Sequence, residues 1–188
     1  MDGAERESPI LSFIQGYAPG DTGPAGGIVF HDRGYFADGW RYLEAAPYGW
    51  RNGGEDAYQV WLPVYVDGSS VRLGTKTAVG TGAANTELIV PKDLSFDGVS
   101  AARTCAELEL NGFSDWFLPS RDELDLLFRN KDLPGIGPFG WEDYGTPWYW
   151  SSSEHSGGRA WKILFTSGLQ DNSSRKTSPS FVRPVRAF

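Results

Sequence analysis

Trp148-Tyr149-Trp150-Ser151-Ser152-Ser153-Glu154-His155-Ser156-Gly157-Gly158-Arg159-Ala160-Trp161-Lys162-Ile163-Leu164-Phe165-Thr166 is the stretch that decides the fold. Tyr149 to Ser153 and Ala160 to Thr166 read as strands joined as a hairpin across the Gly157–Gly158 turn. Neighbours along a strand face opposite sides. Trp150 and Trp161, on facing strands, are therefore expected in the core, while one of Trp148 and Tyr149 is free to reach solvent. Phe181 to Phe188 makes a closing strand, in which Pro184 lacks an N–H and demands an edge or a bulge.

Upstream of the hairpin the pattern changes to helix. Ser120 followed three residues later by Glu123 is a capping box, and the helix it opens turns Leu124, Leu127 and Phe128 inward. Asp97 or Ser100 caps an earlier helix running to about Leu110, with Val99, Ala102, Ala106 and Leu110 at helical spacing and Asn111-Gly112 ending it. Asn85 to Val90 reads as a further short helix. Nearer the start, Ile28 to His31 is a strand with a turn at Asp32-Arg33-Gly34. Trp40 to Ala45 is a second strand, and Val60 to Val66 a third. Strands, two main helices and strands again predict an α+β domain with an antiparallel sheet, to which both ends of the chain contribute. Residues 1–20 read as a leader or linker, and residues 21–188 as the domain.

At 188 residues the chain is long enough to bury a sizeable core. Its 24 glycines, 12 prolines and 14% aromatic content favour a loop-rich sheet over a helical bundle. The formal net charge of −7 argues against a nucleic-acid partner, which wants a basic face. A single cysteine, Cys105, excludes an intramolecular disulfide or a multi-cysteine metal cluster; its apolar helical setting predicts a buried, inert thiol. No stretch is long and apolar enough for a membrane span, and no signal-peptide pattern opens the chain.

Several segments in order carry a family resemblance. They are Gly20 to Phe30, Gly39 to Pro47, Gly80 to Thr86, Gly112-Phe113-Ser114-Asp115-Trp116-Phe117-Leu118-Pro119-Ser120-Arg121-Asp122-Glu123-Leu124, Tyr149 to Glu154, and Val182-Arg183-Pro184-Val185-Arg186. The chain resembles, from about Asp21 to Phe188, the domain named after the C-terminal part of a bacterial collagen-like adhesin. The resemblance implies a C-type-lectin-like fold with paired terminal strands and long loops that present a ligand. It also implies a surface or secreted location and a role in adhesion or glycan binding. Some proteins of that fold are variable proteins of diversity-generating retroelements, rewritten at adenines near the C-terminus. On that comparison Trp150, Glu154, Trp161, Lys162, Gln170 and Lys176 are scaffold types.

Large flat side chains interleaved with small polar ones have the composition of a recognition surface. The candidate ligand-binding residues are Trp148, His155, Gly157, Gly158, Arg159, Leu169, Asp171, Ser173, Ser174, Arg175, Ser178 and Ser180. The expected partner is a protein or glycan, with no nucleic acid, cofactor, ligand-bridging metal or catalytic role; the oligomeric state is open. Trp116 is expected in the core. Arg183 and Arg186 are expected to pair structurally, with Asp115 or Glu154 as partners. Ser151-Ser152-Ser153 lacks any motif supplying a base and an oxyanion hole. Two other readings stand beside the binding module. One is a hydrolase acting on cell-wall or surface glycan, which needs a pocket with converging carboxylates; the other is a structural oligomerisation domain.

Overall fold

A computed structural model describes residues 16–51, 53–63, 72–93, 99–140 and 146–188. The leader up to residue 15, the reading of Val64 to Val66 as strand, and Asp97 as a helix cap lie outside these residues. The described residues form two sheets and three short α-helices. β1 (Ile28–Ala37), β2 (Trp40–Ala45) and β8 (Val185–Ala187) form one antiparallel sheet in the order β1-β2-β8. β3 (Ala57–Val60), β4 (Trp148–Ser156), β5 (Arg159–Leu164), β6 (Gln170–Asp171) and β7 (Pro179–Val182) form the other, in the order β3-β7-β4-β5-β6. The helices are α1 (Gly82–Ile89), α2 (Ala101–Ala106) and α3 (Arg121–Arg129).

The α+β class is as expected, but the single antiparallel sheet is corrected in two respects. There are two sheets, and β4 runs parallel to β7, with Tyr149 opposite Phe181. The expected closing strand is split between them. Phe181 and Val182 belong to the larger sheet, Val185 and Arg186 to the smaller, and the chain crosses at Arg183-Pro184. Proline sits where no ladder needs its missing N–H, and its carbonyl accepts from the Ala46 N–H at 2.9 Å. The two ends of the domain do share a sheet. β8 pairs with β2, and Tyr17 packs edge-on against Phe188 at 5.2 Å.

Both faces of the larger sheet are buried. Tyr149, Ile163 and Phe181 face α3, β1 and β2, whereas Trp150, Ala160 and Val182 face α1 and α2. Alternation along β4 therefore buries Tyr149 and Trp150 completely and leaves Trp148 half-buried. Trp161 is half-buried rather than in the core, because it lies toward the turn end of the hairpin, beside Arg121 and His155. Trp116 is 2% exposed, as expected, and Cys105 is buried, with burial pushing its thiol well up.

Three local expectations change. The first hairpin turns at Asp38-Gly39, both at positive φ, and not at Asp32-Gly34. An Asp-Gly pair suits a two-residue turn that needs left-handed backbone. Gly34 only kinks β1, donating its N–H to Asp32 Oδ1 at 2.7 Å. The second helix stops at Ala106, because Leu108 and Leu110 instead pack in extended chain around Trp116. Its inward positions are Ala101, Ala102 and Cys105, and Val99 is exposed. The third strand covers Ala57–Val60 and ends before Trp61, whose indole N–H donates to the Ser151 carbonyl at 2.7 Å.

The helix capped by Ser120 forms as read. Ser120 Oγ accepts from the Glu123 N–H, and Glu123 Oε2 accepts from the Ser120 N–H at 2.6 Å. Glu123 is fully buried and also accepts from the Gly80 N–H at 2.8 Å, tying the loop before α1 to α3; burial pushes its carboxyl up. Gly82 has no room for a Cβ, which would collide with Glu123 and Phe117.

Asp32 supplies a pH-dependent contribution. The hydrogen bonds from Arg41, at 2.8 and 2.9 Å, lower its carboxyl from 3.8 to about 2. The folded value is the depressed one, so the contribution is fully present above the ordinary aspartate range and fades as the pH falls toward 2. Urea titrations between those limits should show a shallower acid limb for Asp32→Asn than for the parent. Parallel limbs would refute the pairing.

Candidate functional site

The β4–β5 hairpin and the chain from residue 169 to 178 define one edge of the larger sheet. β6 pairs with β5 through Lys162 opposite Asp171 and Ile163 opposite Gln170. Further along, Arg159 and Arg175 form an isolated antiparallel bridge. Between those points the chain bows outward around Asp171. Its Oδ1 accepts from the Ser173 N–H at 2.8 Å and from Ser173 Oγ at 2.6 Å, and its Oδ2 accepts from Ser174 Oγ at 2.6 Å. Burial opposes these bonds, but together with Lys162 they hold the Asp171 carboxyl below its usual range. Arg159 donates to the Ser173 carbonyl, and the Ser178 N–H donates to the Arg175 carbonyl at 2.9 Å.

The candidate contact residues separate into two groups on this edge. His155, Gly157, Gly158, Arg159, Ser173, Ser174, Arg175 and Ser178 gather at the hairpin-turn end. Trp148 and Leu169 lie at the far end, near Leu164, which pairs with Trp148 and donates its N–H to the Leu169 carbonyl at 2.9 Å. Asp171 stands between them. Leu169 is 58% exposed; His155, Arg159, Ser173 and Arg175 are exposed, and Trp148, Gly157, Gly158, Asp171, Ser174 and Ser178 are half-buried. Ser180 is the exception. It lies on β7, between β3 and β4, and is 1% exposed, so it cannot supply a contact.

Two residues at this edge carried no contact expectation. Lys162 places its ammonium 4.5 Å from the centroid of the Trp148 ring and 4.0 Å from Asp171 Oδ2; burial lowers its pKa. Arg72 donates to the His155 carbonyl at 2.8 Å. The alternation of Trp148, Trp150 and Lys162 across paired strands could have found the first. Nothing local in the sequence signals the second, which lies 83 residues from its partner.

Beneath this edge lies a hydrogen-bonded frame. Glu154 accepts from the backbone N–H groups of Leu73 and Gly74, at 3.0 and 2.8 Å, and pairs with Lys176 Nζ at 2.9 Å. Burial lowers the Lys176 pKa, opposed by Glu154. Each serine of the Ser151-Ser152-Ser153 run is engaged. Ser151 Oγ donates to the Trp161 carbonyl, Ser152 Oγ accepts from Asn85, and Ser153 Oγ donates to the Lys76 carbonyl while accepting from the Arg121 N–H. Arg186 pairs with Asp115, as expected, and also with Glu44, at 2.9 Å for the latter. Arg183 pairs with Asp56, which corrects the expected partners.

Elsewhere, a cleft of about 390 Å³ lies between α1, the end of α2 and the segment 114–117. Glu87 and Asp115 are both on its wall, and Asp115 is held by Arg186. Among the described residues no cluster of three or more His, Cys, Asp or Glu could hold a metal, and no helix is long and apolar enough to cross a membrane.

Sheet, frame and edge together define an α+β module whose rigid, aromatic-filled body supports a polar rim built largely from one hairpin and one strap. The chain belongs to the Lcl C-terminal domain family, whose model matches residues 52–186. No curated protein matches it.

Proposed function

We propose that this domain is a non-enzymatic, adhesin-like binding module of C-type-lectin-like architecture, holding a protein or glycan on the β5–β6 edge and the strap that follows. The observation that carries this reading is the division between frame and rim. Glu154, Trp150 and Lys176 are buried, whereas Arg159, Ser173 and Arg175 project from the same strands and strap into solvent. A rim fixed by buried bonds loses little side-chain and loop freedom when it binds, which is how a small polar surface reaches useful affinity. Family membership supports the adhesin-like character, and with it a surface or secreted location. Retroelement diversification would act on the rim and spare the frame. A near-copy of the last coding segment, differing mainly at adenines beside a reverse transcriptase gene, would establish it.

The test is the triple variant R159A/D171A/R175A, probed on arrays of glycans and of purified surface proteins. Binding by the parent should fall at least about tenfold while the variant still unfolds in one cooperative transition. Arg159 and Arg175 are exposed and cost little, so any drop in the thermal midpoint should match that of D171A alone. Loss of folding in step with loss of binding would end the separation of frame from rim.

A further inference from the structure

The hairpin-turn end of the edge carries an electrostatic misfit. Arg159 and Arg175 are antiparallel bridge partners, so their side chains leave the sheet side by side, from Cα atoms about 5 Å apart. Both are exposed, and among the described residues no carboxylate lies within ion-pair distance of either. The acidic groups around them are already engaged. Asp171 is capped by Ser173 and Ser174, Glu154 holds Lys176, and Asp122 holds Arg121. Arg72 adds a third positive charge, bonded to the His155 carbonyl and close enough to Lys176 to act on its ammonium. Like charges set opposite one another across paired strands are destabilising. Acids outnumber bases in this chain, 24 to 17, yet among the described residues none pairs with either arginine. Arg159 has a carbonyl partner in Ser173, but among the described residues neither arginine has a carboxylate, and a like-charge pair left in that state points to an anionic partner from outside the fold.

We infer that Arg159, Arg175 and Arg72 form a seat for carboxylate groups on an extended acidic segment of a protein partner. The inference rests on the binding-module reading and names the chemistry of its ligand. A guanidinium is a planar fork that matches a carboxylate bidentately. Alternate side chains of an extended peptide lie about 7 Å apart on one face, a spacing that two neighbouring arginines can meet. The backbone favours a peptide as well. β6, two residues long, ends the larger sheet a few residues before the Arg159–Arg175 bridge, and an extended segment seated on the arginines can continue along that edge. Trp161, two residues along β5 from Arg159, meets the His155 ring edge-on at 5.6 Å and gives the seat an aromatic wall.

The experiment uses the full chain and three labelled probes at low salt: a ten-residue Glu-Ser repeat peptide, its Lys-Ser counterpart, and a chondroitin sulfate oligosaccharide. The acidic peptide should bind and the basic one should not. R159Q/R175Q should weaken acidic-peptide binding at least about tenfold, and R72Q about threefold. Without ligand, R159Q or R175Q alone should raise the thermal midpoint by about 1–3 °C, a gain that vanishes near 1 M salt. The inference is overturned if the acidic peptide fails to bind, if its affinity ignores the double variant, or if only the sulfated glycan responds to the arginines. An array ligand lost in R159A/D171A/R175A with no acidic-peptide binding would sink this inference alone. Acidic-peptide binding lost in R159Q/R175Q, with an array ligand indifferent to the triple variant, would sink the broader reading instead.

Discussion

Asp56→Ala should destabilise the domain by about 3–5 kcal/mol, the loss expected when one partner of a buried ion pair is removed. Arg183 is fully buried, and Asp56 meets it bidentately, Nε to Oδ1 at 2.8 Å and Nη2 to Oδ2 at 2.7 Å. The remaining donors are also used, on the carbonyls of Ala46, Ile136 and Pro138, and the Phe139 ring lies 4.5 Å from the guanidinium carbon. Asp56 in turn accepts from the Trp50 indole at 2.8 Å and from the Tyr149 hydroxyl. Without the carboxylate, a cation that cannot lose its proton stays in the interior while two further donors lose their acceptor. Domains of this kind are stable by only about 5–15 kcal/mol in total, so the variant should populate unfolded chain at body temperature. Urea denaturation at low temperature keeps the measurement possible if it does. A loss below about 1 kcal/mol would show that the guanidinium finds other compensation. Arg183→Met, which removes the charge but keeps the volume, should cost less than Asp56→Ala, because the carboxylate retains the Trp50 and Tyr149 donors.

That pair also marks the limit of what the sequence makes legible. Ser120 and Glu123 announce their capping box because both bonds close within one helical turn. The β4–β5 hairpin announces itself because its turn and its two strands are contiguous. Arg183 and Asp56 are 127 residues apart, and no local pattern joins them; only the crossing of the chain from one sheet to the other at Pro184 brings them together. The same crossing divided what reads as one strand, since a proline break looks identical whether the chain resumes in the same sheet or in another. For the site, exposure followed from residue type along the hairpin turn and the strap, where small polar residues and arginines meet solvent. It failed at Ser180 because β7 has strands on both sides and a core on each face, so a serine there is buried without any change in local composition. Lys162 and Arg72 were missed for a related reason. Their roles come from cross-strand neighbours and a distant carbonyl, not from their own surroundings in sequence.

Glu154→Gln should cost about 3 kcal/mol or more, and it should also reach the binding edge. Glu154 and Lys176 form a buried pair, with side chains 2% and 6% exposed, and Lys176 lies 4.3 Å from the centroid of the Trp61 ring. The carboxylate has a second task, accepting from the N–H groups of Leu73 and Gly74, immediately after Arg72. A glutamine can accept at one oxygen, but its amide nitrogen would confront either a backbone N–H or the ammonium, so at least one buried donor is stranded. The pairing itself is isolated by a double-mutant cycle with Lys176→Met. If the loss in Glu154→Gln comes mainly from the charge lost opposite the Lys176 ammonium, the substitution should cost at least about 2 kcal/mol less in the Lys176→Met background. A coupling below about 0.5 kcal/mol would mean that the backbone bonds, and not the charge pair, dominate. The functional consequence is separable from folding. At temperatures where Glu154→Gln remains folded, Arg72 and Arg175 lose the anchor beneath them, and ligand affinity should fall although no contact residue has changed. Unaltered affinity in the folded variant would show that the rim holds its geometry without the frame, and would move the source of its rigidity to the hairpin alone.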